Sequence, residues 1–180
     1  EMCIRDRHRI DRETAGLVVF AAQAHTRAAY QDLFRVREVH KVYEALAPWR
    51  ADVTLPRVHR SRLAPVDGFF TMHEVPGEAN SETRMEPIEQ QGALARYRLT
   101  PLTGKRHQLR AHMDALGLPL LGDRFYPDVL PADLPDDPAR PLQLLAQALA
   151  FTDPFTGEAR RFESQRSLLP LSAWQPPNRP

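Results

Sequence analysis

Two pairs of extended segments, each closed by a short turn, constrain this chain more than any other feature. Residues 82–88 and 94–102 are strand-like and flank Gln90, Gln91 and Gly92, while residues 144–151 and 158–162 flank Asp153, Pro154, Thr156 and Gly157. Segments joined in this way pair as antiparallel hairpins. Two other stretches carry helical spacing. In residues 24–35, Tyr30, Leu33 and Phe34 recur on one side. In residues 103–117, TGKRHQLRAHMDALG, the period changes from two to nearly four, with Leu109, Met113 and Leu116 on one side and Gly117 placed as a C′ residue. The expectation is an α+β fold with a mixed, mostly antiparallel sheet and flanking helices.

The remaining stretches fit around that frame. Residues 41–49, KVYEALAPW, read as a strand stopped by Pro48, with Lys41, Tyr43 and Ala45 on one face. Leu17 to Ala22 read as a buried strand and residues 118–123 as extended. Residues 52–77, punctuated by Pro56, Pro65, Gly68, Pro76 and Gly77, read as an irregular surface excursion with short extended pieces and the basic segment RVHRSR. Residues 127–141 form a loop rich in proline and aspartate, and a proline-rich tail starts at Pro170. A chain of 180 residues supports one domain with a substantial core, here residues 8–170, with 171–180 as the tail. The opening seven residues, EMCIRDR, have no periodicity and run straight into the first charged motif. They are expected to be non-native or a truncated N-terminus, with flanking strands missing.

Composition removes several classes of function. No apolar run approaches the roughly 18 residues of a membrane helix, and no signal-peptide layout is present, so a soluble, cytoplasmic protein is expected. The single cysteine, Cys3, excludes an internal disulfide and a cysteine-rich zinc site. A net charge of +1 says little by itself, because the basic residues cluster at 5–12, at Arg57, Arg60 and Arg62, and at Lys105, Arg106 and Arg110. If those clusters converge on one face, they form the footprint of a polyanion site.

The stretch His8 to Ala21, HRIDRETAGLVVFA, sets Asp11 between Arg9 and Arg12, on a loop at the mouth of an apolar run. A carboxylate there is a candidate for chemistry, and a solvated charge cluster is the plainer reading of the same residues. His107 and His112 are five apart, not the four that places two ligands on one helical face, which makes a metal hydrolase a weak rival.

Three segments in order, HRIDRETAGLVVFA, KVYEALAPW and TGKRHQLRAHMDALGLPLLGDRFYP, resemble those of the RluA-type pseudouridine synthases, which isomerise particular uridines in structured RNA. The resemblance spans about His8 to Phe162. It implies that residues 8–170 are a catalytic domain whose mixed sheet carries a central RNA-binding cleft. By residue, it implies that Asp11 is the nucleophilic carboxylate, that Tyr43 is the aromatic beside the target base, and that Arg110 ion-pairs with the aspartate. Arg9 would fill the space the uridine leaves, Leu109 would line the base pocket, and His107 belongs to the same motif. Lys105 and Arg106, together with the basic residues in 57–62, would hold phosphates. Ala15 stands where the family usually has serine, and Lys105 and Arg106 stand where arginine and then threonine or serine are common. The RSRL and FFTMHEVPGE stretches and the compact length look like the branch acting on a tRNA anticodon-arm uridine and on one in large-subunit rRNA.

The chemistry explains why these residue types belong together. Converting uridine to pseudouridine breaks a C–N glycosidic bond and rejoins the base through carbon, with no redox change, so no cofactor and no metal is required. A carboxylate can attack or can stabilise positive charge on the sugar. Attack on the sugar, attack on the base and elimination through a glycal all stay open. A stacked base excludes water and raises the pKa of the acid, and a neighbouring arginine opposes that shift. Unstacking the uridine costs a few kcal/mol, of which stacking on an aromatic such as Tyr43 returns about 1–3 kcal/mol. The alternative reading is a catalytically inactive or truncated RNA-binding protein of the same fold. Structured RNA, tRNA or rRNA, is the partner in either case.

Overall fold

The computed structural model describes residues 10–65, 70–131 and 133–174, so residues 1–7 and Arg9 lie outside the described residues. The chain runs β1 (Ala15–Gly16), α1 (Arg27–Arg35), β2 (His40–Pro48), β3 (Arg57–Pro65), β4 (Met72–Val75), β5 (Ser81–Gln91), β6 (Leu94–Pro101), α2 (Gln108–Ala115), β7 (Leu144–Thr152) and β8 (Ala159–Glu163). Short 3₁₀ turns cover Ala24–Thr26 and Leu171–Ala173. Among the described residues these strands form one sheet in the order β1-β7-β2-β6-β5-β3-β4, with β8 also on β7. Every pairing is antiparallel except β1 with β7. Both hairpins, β5–β6 and β7–β8, form as the turn chemistry dictates. In the second, the Asp153 carboxylate accepts the N–H groups of Phe155 and Thr156, an Asx turn that reverses the chain.

Three stretches differ from their sequence reading. The expected strand at Leu17 to Ala22 shrinks to the two-residue β1, although Leu17 N–H still donates to the Ala146 carbonyl at 3.1 Å. The cause is competition for an edge: β1 and β8 share the side of β7 that faces away from β2, and β8 takes it from Ala148 onward. Leu17 and Val19 pack instead with Leu33, Val39 and Leu149. The second difference is RVHRSR, which is not surface excursion but the body of β3, paired with β5 from Arg57↔Met85 to Ser61↔Ser81. Third, residues 118–123 form no strand and attach to β2 through a Leu121 N–H to Leu46 carbonyl bond of 2.9 Å.

Side-chain alternation along β2 sorts the core. Ala45 and Ala47 face a cluster with Tyr97, Leu99, Leu109 and Met113, whereas Leu46 faces the other side with Leu145, Leu168 and Leu171. Helix α2 is buried from Gln108 through Met113. It ends in a Schellman cap, with Gly117 N–H on the Asp114 carbonyl at 2.7 Å and Leu118 N–H on the Met113 carbonyl at 2.9 Å. Gly117 has φ +70°, the left-handed conformation that this cap needs. Helix α1 lies against the β7–β8 end, where Tyr30 donates to Asp153 Oδ2 at 2.9 Å. No helix among the described residues is long and apolar enough to cross a membrane.

Candidate active site

A cleft of about 960 Å³ opens over β2 and gathers residues that are far apart in sequence. One wall is the loop of Asp11, the floor carries Lys41 and Tyr43, and the opposite wall is the 101–107 segment with Leu109 and Phe125 behind it. Of the expected site residues, Asp11, Tyr43, Lys105, Arg106, His107 and Leu109 all line this space. Arg110 lies beneath it, fully buried. Arg57, Arg60 and Arg62 stand on β3 outside the lining, and Arg60 is spent on Glu82 at 2.9 Å.

Asp11 is held close to the sheet. Its carbonyl accepts Thr14 N–H at 3.1 Å, and Ala15 and Gly16 then pair with Leu145 and Ala146. Gly16 has φ +107°, and a Cβ there would stand 2.3 Å from the Ala146 carbonyl oxygen. Only glycine lets the loop enter β1 at this approach. The negative charge of Asp11 bears on Tyr43, whose pKa is pushed up to about 12, first by burial and then by Asp11. The phenol is therefore a neutral donor and stacking surface at physiological pH.

The opposite wall is pinned by Gln108, the first residue of α2. Its Oε1 accepts from Thr103 Oγ1 at 2.7 Å and from Lys105 N–H at 3.0 Å, while its Nε2 donates to the Glu82 carbonyl and to Thr83 Oγ1. All four positions of the amide are used, which fixes the 103–107 turn against β5. His107 takes a left-handed conformation (φ +51°) at the helix start, stacks on Phe125, and contacts Tyr126 Oη through Nδ1 at 3.2 Å. Burial, with Arg110 and Arg106 nearby, lowers its pKa to about 4, so the imidazole is neutral. Arg106 lies over the Phe70 ring and donates to the Phe70 carbonyl.

Arg110, expected to ion-pair with Asp11, is taken instead by Asp123, which is buried with it beneath the cleft: it donates from Nε to Asp123 Oδ2 at 2.8 Å and from Nη2 to Oδ1, and its guanidinium sits 4.7 Å from the Phe125 ring centroid. Among the described residues its Nη1 is buried without a hydrogen-bond partner, as is Oε2 of Glu13. Burial raises the pKa of Glu13, and the charges of Arg110, Arg124 and Arg12 oppose that rise. Asp123, Glu13, Gln108 and Phe125 were not singled out by sequence reasoning. Asp123 and Phe125 stand within the third family-like segment, in GDRFYP, but nothing in that pattern says which cation the acid would meet.

His59, Glu74 and His112 bring metal-type donors within 4.8 Å of one another. Hydrogen bonds already occupy them. His59 Nε2 lies 2.6 Å from Glu74 Oε1. The Ser81 hydroxyl is directed to the Ser61 carbonyl, so Ser81 Oγ accepts from His112 Nε2; Thr83 Oγ1 accepts from Gln108 and donates to His112 Nδ1. Burial lowers the His112 pKa to about 4, in keeping with that neutral tautomer.

The cleft over β2 thus sets an aspartate loop across from an aromatic floor and a basic rim. The model of the RNA pseudouridylate synthase family matches residues 6–115, and the chain belongs to that family. Among individual relatives, it is 35% identical over 176 residues to the dual-specificity RNA pseudouridine synthase RluA of Haemophilus influenzae, covering 88% of this chain and 71% of the relative. It is 37% identical over 126 residues to the protein of the same name from Vibrio vulnificus, covering 66% of this chain and half of that relative's length. In structure it is similar to human RNA pseudouridylate synthase domain containing 1, with a TM-score of 0.74 and 26% identity over 94% of this chain and 72% of that one. Human RNA pseudouridylate synthase domain containing 4 follows at a TM-score of 0.64 and 28% identity, over 92% and 71% of the two chains.

Proposed function

We propose that this chain isomerises uridine to pseudouridine in structured RNA, with Asp11 as the reacting carboxylate. The observation that carries this reading is the placement of Asp11 and Tyr43 in one cleft, close enough for the acid's charge to raise the phenol's pKa. A volume of about 960 Å³ accommodates an extruded nucleotide. Tyr43 offers the stacking face, Leu109 adds an apolar wall, and Asp11 approaches the glycosidic bond from the opposite loop. The N1–C1′ bond breaks, the uracil turns, a C5–C1′ bond forms, and the proton lost from C5 is balanced by one gained at N1. Arg110, held from behind by Asp123, stands behind the acid loop, where its charge bears on Glu13. Lys105 and Arg106 on the rim hold phosphates, and Arg9 fills the gap left in the RNA stack. Binding of this kind is salt-dependent and carries little sequence information.

The RNA is a tRNA anticodon arm or a large-subunit rRNA loop, a reading supported by relatives named for dual specificity. Purified protein incubated with unmodified tRNA and rRNA fragments, with product mapped by its chemical adduct, is expected to yield pseudouridine. Asp11→Ala is expected to abolish product while RNA affinity stays within a few-fold. Tight binding without product from the parent chain would establish the RNA-binding alternative instead.

A further inference from the structure

Lys41 shares the cleft floor with Tyr43, yet nothing described so far uses it. It precedes Tyr43 by two residues on β2, so both side chains rise from one face roughly 7 Å apart. Its ammonium is largely withdrawn from water, which lowers its pKa, and the charge of Arg37 lowers it further. Among the described residues no carboxylate is paired with it. A desolvated cation without a counter-charge is costly, and a second cation beside it adds to the cost.

Gly104 faces the same group. A Cβ there would meet one neighbour within 4 Å, Lys41 Nζ at 3.7 Å. The backbone at Gly104 is not in the left-handed region, so its conformation does not call for glycine. What the missing side chain provides is open space in front of the ammonium, on a cleft wall that continues into Lys105 and Arg106.

We propose that Lys41, with Arg37 and the bare backbone at Gly104, forms a phosphate subsite that holds the RNA backbone next to the uridine stacked on Tyr43. The inference rests on the RNA-modifying reading given above. A phosphodiester brings the full negative charge that an unpaired ammonium beside a second cation lacks, whereas a uracil carbonyl is satisfied by a neutral donor. The subsite would fix the extruded nucleotide by its own backbone while Asp11 works on its sugar.

The test uses an unmodified anticodon-arm stem-loop carrying a single neutral methylphosphonate at each loop phosphate in turn. Lys41→Met is expected to bind the unmodified RNA about tenfold more weakly. It should also reduce the slope of log affinity against log salt by about 0.7 to 0.9. At one methylphosphonate position the parent should lose the same affinity, and Lys41→Met should lose nothing more. Gly104→Ala keeps every charge and fills the space before the ammonium; it should weaken binding several-fold, which guards against a folding defect in the lysine variant. Additive losses at every position would overturn the subsite, as would lost turnover at saturating RNA with affinity and slope unchanged. If the parent forms pseudouridine while both variants bind like it, the subsite alone fails. If the parent binds no RNA, the functional reading fails with it.

Discussion

The Arg110 guanidinium and the Asp123 carboxylate meet with both side chains fully buried, and Asp123 Oδ1 also accepts the backbone N–H groups of Phe125 and Tyr126. One carboxylate thereby ties α2 to the aromatic segment of the cleft wall, and stacking of Arg110 on Phe125 adds to the tie. Removing one partner of such a pair strands a charge out of water, which costs more than the pair itself contributes.

Asp123→Ala is therefore expected to destabilise the fold by about 3–5 kcal/mol, measured by urea unfolding. Asp123→Asn keeps acceptors for the two backbone donors and should recover part of that loss. A change below about 1 kcal/mol for the alanine variant would show that Arg110 finds water or another acceptor.

Gly16 makes a second prediction. Alanine there must hold φ near +107° and place its Cβ 2.3 Å from the Ala146 oxygen, so β1 has to leave β7. A cost of at least about 2 kcal/mol is expected. Because the strained residue sits five positions after Asp11, turnover should fall more than RNA affinity. Equal falls in both would place the damage elsewhere.

The two buried histidines set an acid limit. His107 and His112 each have a folded pKa near 4 against an ordinary value of 6.5. The unfolded chain therefore binds protons first as pH falls, and stability drops between about pH 6.5 and about pH 4. Urea midpoints across that window should decline, and His112→Asn should flatten the decline while lowering stability near neutrality. A variant as steep as the parent would assign the acid sensitivity to carboxylates.

Much of this arrangement is legible in the chain. The hairpins at 81–101 and 144–163 follow from turn residues between strand-forming runs, and α2 follows from its apolar spacing and from Gly117 at its cap. That Asp11, Tyr43 and Leu109 share one site follows from the family resemblance of the segments that carry them, since no local pattern brings positions so far apart together. The misread stretches share a different cause. RVHRSR has no apolar alternation, and it becomes β3 because β5 offers an edge; LVVFA has the composition of a strand and is refused one because β8 already occupies β7.

Local propensity, turn chemistry and hydrophobic period are properties of neighbouring residues, so the sequence by itself determined the hairpins, the two helices, the α+β class and the candidate acid on its loop. Pairing partners are not local. Only the tertiary structure decided that Arg110 is held by Asp123, that Gln108 pins the wall opposite Asp11, and that Lys41 faces an open space at Gly104. Each of those contacts joins groups whose meeting depends on strand order and register, and strand order is settled by competition among edges once the whole sheet has formed.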